Sequence, residues 1–437
     1  MGTGQNLYRK AKTLIPGGTQ LLSKRPEMHL PDHWPSYYSR ARGVDVWDLD
    51  GQQYVDMAIN GIGACVLGAA DPDVDGAVRA AIDAGTASTL NCPEEVELAE
   101  LLCALHPWAS MVRYARGGGE AMTVAVRIAR ASTGREKIAF CGYHGWHDWY
   151  LSANLAEDDA LDGHLLPGLQ PKGVPRGLRG TMMPFHYNAI EELERIMAAH
   201  EGQIATIVME PLRERGPAPG FLERVREIAT KAGAVLIFDE VTSGFRLACG
   251  GAHLTLGVEP DIAVFAKALG NGYPIAAIIG RKAVMQAAQE TFISSTNWTE
   301  RIGPTAALAT VRKFRAHRVH EHLIRIGTLV QEGWARAAKR TNLAIHVSGI
   351  APLSHFEIQS SFGEAPRTLF AQIMMEKGFL ALSSFYATFA HTEEHVARYL
   401  SEAEGAFALI QRAIEDDSVL AALRGPVAQK GFQRLTS

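Results

Sequence analysis

The chain contains no run of 18 apolar residues, so no membrane-spanning helix is expected. Its opening, MGTGQNLYRKAKTLIPGG, lacks the continuous apolar core of a secretory signal, and Asn6 stands where a myristoylation signal needs Ser or Thr. Cysteine is scarce. Five residues in 437, Cys65, Cys92, Cys103, Cys141 and Cys249, form no CxxC pair, and the odd count leaves one unpaired in any disulfide scheme. A reducing, cytoplasmic setting is therefore expected. Charge of one sign is also missing: 43 Lys and Arg face 47 Asp and Glu, with no isolated basic block, so nucleic-acid binding is not expected. No repeat or low-complexity tract occurs.

What is present is a change of rhythm along the chain. Residues 1–55 read as an N-terminal arm, with a short helix, an extended PDHWPSYYSRARG and a hairpin turning at Asp50-Gly51 in VDVWDLDGQQYVDM. From about residue 93, helices alternate with MVRYA, KIAFC, IATIVMEP, AVLIFDEV, DIAVFAK and PIAAIIG. These short runs are nearly unalternated and rich in branched residues, as strands covered on both faces must be. PEEVELAELLCAL presents Val96, Leu98, Leu101, Leu102 and Leu105 near one helical face; Asn188 is placed to cap NAIEELERIMAAH, and Gly233 to end GFLERVREIATKAG. The pattern predicts an α/β protein: a large domain with a mostly parallel sheet over 56–310, and a smaller α+β domain formed by the chain termini, 1–55 and 311–437.

In such sheets ligands collect beyond the carboxyl ends of the strands. Two strand ends carry chemistry. AVLIFDE ends in Asp239 and Glu240, and DIAVFAK ends in Lys267, followed by a glycine-rich turn instead of an amphipathic helix. A carboxylate and a lysine there suit pyridoxal phosphate: the amine forms an imine with the cofactor aldehyde, and the carboxylate keeps the ring nitrogen protonated. The freed amine can then move the proton of the substrate Cα. RYARGGGEAM supplies a phosphate cradle, glycines 117 to 119 between a strand and a helix start. In CGYHGWHDWY, Tyr143 can lay its ring over a planar cofactor, with His144 adding a hydrogen bond.

Competing readings are weaker. Asp239-Glu240 resembles the acidic pair of a P-loop ATPase, but GxxxxGK[ST] is absent. NGIGACVLG has a displaced third glycine and Asp71-Pro72 where a dinucleotide-binding helix should run. Cys141, His144 and His147 match no closed zinc spacing, so no metal is expected. Lys267 alone could be a solvated lysine, GGG a flexible turn, and Trp146 and Trp149 interface aromatics.

The ordered set GGGEA, GYHGWHD, VMEP, LIFDEVTSGFR, FAKALGNGYP and AHTEE resembles the class III (omega) aminotransferases of PLP fold type I, in the glutamate-1-semialdehyde aminomutase-like branch, over nearly the whole chain. The resemblance implies a seven-stranded sheet in the large domain and a homodimer with shared active sites. It implies Lys267 as the imine-forming lysine and Asp239 as the pyridinium partner. Tyr143 is implied as the stacking ring, Val241 as the residue on the opposite ring face, and Gly118 with Gly119 as phosphate binders. Glu210 would lie near the cofactor phenolic oxygen. Thr299 would reach the partner subunit's phosphate, with Ser295 and Thr296 as alternatives in register.

Two departures bear on activity. The phosphate turn has glycine where the family usually carries hydroxyls, so backbone amides must hold more of the phosphate. Tyr386 in FYATF replaces the aminomutase glutamate, removing a charge near the substrate. The resulting expectation is a ping-pong transaminase moving an amino group between a small-molecule amino donor and a small polar carbonyl acceptor. An aminomutase or racemase/epimerase is the alternative, and a cofactor-stabilised interaction scaffold the non-enzymatic one. Lys24 and Arg25 are substrate candidates in the arm, together with Tyr386, and Arg246 and Arg301 are further cations to consider.

Overall fold

The computed structural model describes residues 2–162, 164, 168–212 and 216–431. It divides into two compact units, Pro72–His320 and Met1–Asp71 with Glu321–Ser437.

The larger unit is built on seven strands: β1 (Met111–Ala115), β2 (Lys137–Cys141), β3 (Met182–Pro184), β4 (Ile204–Met209), β5 (Val235–Asp239), β6 (Ile262–Phe265) and β7 (Ala276–Gly280). Their order across the sheet is β1-β7-β6-β5-β4-β2-β3. β7 runs antiparallel to both neighbours, and the other adjacent pairs are parallel. β4, β5, β6 and β7 are buried throughout. Helices cover both faces, which is why these runs carry no polar alternation. On one face the helix Gly118–Thr133 packs Ala121, Ala125 and Ile128 against Ile237, Val264 and Ile278; on the other, Phe221–Ala232 packs Leu222 and Val225 against Ile207, Leu236 and Phe238. Each such fully buried aliphatic side chain contributes roughly 1.5–3 kcal/mol of transfer free energy.

The unit formed by the termini holds two small sheets. Tyr38–Arg42, Asp45–Asp48 and Gln53–Met57 form an antiparallel meander whose second hairpin turns at Asp50-Gly51, and Phe379–Ala381 adds in parallel to Gln53–Met57. The second sheet joins Ile345–Ser348, Leu353–Ile358 and Ser384–Tyr386. Trp334, fully buried, donates to the Tyr399 hydroxyl at 2.9 Å. The sequence pattern assigned residues 56 onward to the larger domain. Backbone hydrogen bonds from Tyr386 to Ala58, from Phe389 to Val66 and between Gly43 and Ala69 instead tie that stretch to the unit of the termini. The helix Ile302–Ala316, which runs past the expected limit at 310, belongs to the larger unit, where Lys313 pairs with Asp73 at 2.6 Å.

Two local expectations need correction. Asn188 does not cap the helix Ile190–Ala199: its φ is 68°, and its side-chain oxygen accepts from Ala218 N at 2.8 Å. Val96 is 62% exposed, and the helix Glu94–Leu105 buries Leu98 and Leu102 instead.

Candidate active site

The parallel strands deliver polar groups at their carboxyl ends, since apolar runs that fill the sheet leave only the terminal positions for groups that need partners. Asp239 closes β5 and is 5% exposed. Its Oδ1 accepts from Val241 N at 3.0 Å, and its Oδ2 lies 2.8 Å from His144 Nδ1. The other ring nitrogen of His144 lies 3.2 Å from the Cys141 carbonyl oxygen. His144 is itself buried, with the Asp239 carboxylate as its side-chain partner.

Lys267 follows β6 with a φ of 46°, in the left-handed region that β-carbon sterics disfavour. Such strain persists only where surrounding contacts over-determine it. Lys267 Nζ donates to Thr242 Oγ1 at 2.8 Å. Burial holds its ammonium below the ordinary lysine range; nearby Arg246 adds to that effect, while Asp239 and Glu210 oppose it. A lysine so placed is more readily the neutral, nucleophilic amine.

Glu210, directly after β4, accepts from Tyr143 N at 3.2 Å. The Tyr143 ring stands edge-on to Tyr150 at 5.8 Å and is 36% exposed. Burial, with smaller contributions from Asp239 and Glu210, raises its phenol above the ordinary tyrosine value.

The helix Gly118–Thr133 starts at the glycine turn. The Glu120 carboxylate accepts from Arg116 N at 2.9 Å and Gly117 N at 3.3 Å, leaving the Gly118 and Gly119 amides at the orphan positions of the helix start. A β-carbon on Gly118 would lie 2.9 Å from Val241 Cγ1, so only glycine lets the helix start approach Val241 this closely.

Thr299 lies on the short turn Thr296–Thr299, exposed, with its hydroxyl donating to Thr296 O at 3.0 Å. Arg116 binds this turn through Trp298 O and Glu300 O at 2.9 and 3.0 Å and pairs with the Glu300 carboxylate at 2.9 Å. Arg301 is turned away to Glu94, at 2.7 Å. Lys24, Arg25 and Tyr386 belong to the unit of the termini. There Lys24 is exposed, Arg25 packs beside Gly17, and the Tyr386 carbonyl accepts from Asn60 Nδ2 at 3.0 Å. Trp149 is buried with its indole on Thr123 Oγ1, whereas Trp146 is 70% exposed and stacks on His147 at 4.4 Å. Among the described residues no group of three or more His, Cys, Asp or Glu side chains is arranged to hold a metal.

Sequence reasoning missed Thr242, the acceptor for Lys267, and Arg116, which ties the turn carrying Thr299 to the glycine turn. Both lie within stretches the sequence singles out, but nothing local shows their partners; the contacts of Arg116 span 182 and 184 residues. It also left Glu240 without a role, although its carboxylate is fully buried.

A partly buried lysine, a carboxylate braced by a histidine, and a helix start stripped of side chains define a pyridoxal-phosphate site of the fold type I kind. The residues fit the group: a cation-seeking carboxylate for the ring nitrogen, an amine for the aldehyde, and backbone donors for the phosphate. The comparisons agree. Residues 29–400 match the family model for class III aminotransferases. The 3-aminobutyryl-CoA aminotransferase of Cloacimonas acidaminovorans is 30% identical over 410 residues, covering 91% of this chain and 94% of that protein. The glutamate-1-semialdehyde 2,1-aminomutase of Desulforamulus reducens is 33% identical over 427 residues, covering 92% and 97%. The structure of the PLP internal aldimine form of the FumI protein of Sphingopyxis sp. MTA144 superposes with a TM-score of 0.86 at 26% identity, covering 95% and 98%. The chain belongs to the class III aminotransferase family, close to its aminomutase-like branch.

Proposed function

We propose that this pyridoxal-phosphate-dependent aminotransferase takes an amino group from one small molecule and delivers it to a small polar carbonyl compound in two successive half-reactions, with Lys267, Asp239 and Glu210 as its catalytic residues. The observation that carries the reading is the convergence at neighbouring strand ends of a partly buried Lys267 amine, its charge coupled to Asp239 and Glu210, and an Asp239 carboxylate held in place by His144. Bound pyridoxal phosphate supplies an aldehyde that takes up amines and a ring that draws electrons from the substrate Cα.

The protein's own groups do the rest. Asp239, fixed by His144 and Val241 N, holds a proton at the cofactor ring nitrogen. As a neutral amine, Lys267 Nζ would take the proton from the substrate Cα and return it on the same face. Tyr143 and Val241 would hold the cofactor ring between them. The Gly118 and Gly119 amides would bind phosphate oxygens, with the helix dipole favouring their charge. Glu210 would serve the phenolic oxygen. Substrate recognition falls to Lys24, Arg25 and Tyr386, cations and a neutral hydroxyl that suit a polar, anionic acceptor.

A homodimer completes the site. The hydroxyl of Thr299, exposed in one protomer, is assigned to the phosphate in its partner, with Ser295 and Thr296 as alternatives on the same turn. Cytoplasm is the proposed location: no disulfide joins any of the five cysteines, and among the described residues no helix is long and apolar enough to cross a membrane.

A second reading, migration of the amine within one skeleton, is favoured by the 33% identity to an aminomutase. Tyr386 speaks against it, since a neutral phenol cannot give the charge contrast of a carboxylate. Half-reactions decide between them. A single amine that converts the enzyme stably to its pyridoxamine form, reversed by a different keto compound, is the expected result. Exchange of the Cα proton without such conversion by any donor would overturn transamination. Lys267→Ala should abolish turnover.

A further inference from the structure

We propose that Glu240 is a positioning residue for Lys267: with His253 and Trp108 it locks the loop after β5 so that Thr242 Oγ1 stays against Lys267 Nζ. The inference rests on the reading of Lys267 as the amine that captures the cofactor.

Adjacent residues leaving a strand point to opposite sides, so Asp239 and Glu240 face different surroundings. Glu240 is fully buried, yet both of its oxygens are saturated. Oε2 accepts from the Ser243 hydroxyl at 2.5 Å and Ala252 N at 3.0 Å; Oε1 accepts from His253 N at 2.9 Å and His253 Nδ1 at 2.8 Å. One carboxylate thus draws both ends of the 240–253 loop together. Trp108 Nε1 donates to His253 Nε2 at 3.0 Å, and since an indole nitrogen only donates, Nε2 is the acceptor and Nδ1 carries the hydrogen. The neighbouring His106 accepts from Gly251 N at 3.0 Å and faces Leu102 O through its other nitrogen. A β-carbon on Gly251 would come within 2.8 Å of Glu240 Oε1, so the loop is closed with no room to spare.

Inside this closed loop, Thr242 receives Lys267 through its hydroxyl and Arg246 Nε through its carbonyl at 3.2 Å. The charged groups that bear on Lys267 are Arg246, Asp239 and Glu210, and Glu240 is not among them. Burial pushes the Glu240 carboxyl up, but the hydrogen bonds from His253 and Ser243 outweigh it and keep the acid in its anionic, accepting form. Glu240 therefore acts on Lys267 through loop geometry.

The test uses the full chain freed of cofactor and mixed with pyridoxal 5'-phosphate, following the visible band by stopped flow from pH 6 to 10. Capture accelerates as Lys267 loses its proton, so the midpoint reports its acidity. Thr242→Val removes the acceptor for the ammonium and should lower the midpoint by about one pH unit. Glu240→Gln should lower it in the same direction, and the double variant should match Thr242→Val alone, the signature of two residues acting through one contact. Trp108→Phe, which frees only the outer end of the relay, should give a smaller shift, also absorbed by Thr242→Val, and serves if Glu240→Gln does not fold. An unmoved midpoint in Glu240→Gln, or in Trp108→Phe where that variant stands in, would overturn the proposal; so would shifts that add to that of Thr242→Val. Lys267→Ala separates the two ideas: undiminished capture in that variant refutes the assignment of the lysine itself.

Discussion

His144 Nδ1 lies 2.8 Å from Asp239 Oδ2 while the opposite nitrogen of the same ring meets the Cys141 carbonyl. The histidine is thus wedged between the ends of β2 and β5, and it fixes the direction in which the carboxylate faces. His144→Phe should leave that carboxylate buried with one partner fewer, so that it is no longer held in the direction of the cofactor ring nitrogen. By analogy with residues that orient ligands in other sites, kcat should fall roughly 10- to 100-fold with a smaller change in KM. Steady-state kinetics across pH would check this; an unchanged kcat would deny the histidine its role.

Gly118→Ala inserts a methyl 2.9 Å from Val241 Cγ1 at the helix start assigned to phosphate. Overpacking of this kind costs about 1–3 kcal/mol, and if the strain falls on the holo form the cofactor Kd should rise roughly tenfold or more. Val241→Ala in the same chain opens the space and should recover most of the loss. Equilibrium titration of the parent and the two variants with pyridoxal phosphate measures both effects.

Lys267 carries a stability cost of known sign. Its folded pKa is depressed by burial, so between that value and the unfolded one the unfolded chain binds more protons. The penalty is complete below the folded pKa and fades as pH rises toward the ordinary lysine value. In cofactor-free protein, Lys267→Met should therefore be more stable than the parent at pH 7, with the difference shrinking by pH 10. Urea unfolding at the two pH values tests it.

His391 supplies an acid-side counterpart. The ring is fully buried, accepts from Thr388 N at 3.0 Å and meets Asp56 O at 3.0 Å, an arrangement made for the neutral form. Burial, aided by His395 and His322, lowers its pKa to about 3. Stability from this group is present above pH 6.5 and is lost as pH falls toward 3. His391→Gln should remove about 1.4 kcal/mol per pH unit of that slope between roughly pH 4 and 6. Asp56, whose carboxyl is pushed up to about 6 by burial, acts with the opposite sign in the same window. The difference between variant and parent is thus the quantity to measure.

The proposal that two subunits share each site can be tested by complementation. Lys267→Ala subunits lack the amine and Thr299→Ala subunits lack the hydroxyl, so each alone should be impaired. Refolded together, mixed dimers contain one site with both groups, and activity should exceed the average of the two parents. Absence of any gain, with mixed dimers shown to form, would remove Thr299 from the partner's phosphate site.

Much of the architecture was legible because burial on both faces writes itself into a strand as an unbroken apolar run. The runs ending at Cys141, Met209, Asp239 and Phe265 are parallel strands of the sheet. The run ending at Gly280 looks the same in sequence but lies antiparallel between β1 and β6, since direction leaves no mark on a fully buried strand. Residues 58–69 were assigned to the wrong side of the division because turns carry no periodicity and their partners, Tyr386 and Phe389, lie more than 300 positions away.

The sequence by itself determined the apolar strands, the polar residues that terminate them and the glycines at the helix start, because each is a local response of the chain to burial or to backbone geometry. Only the tertiary structure decided which of those ends are neighbours, that His144 braces Asp239, and that Trp108 reaches His253 across 145 positions of chain while His253 holds Glu240 across 13. A hydrogen bond depends on distance and direction in space, and residues far apart in sequence acquire those only when the sheet has set its strand order.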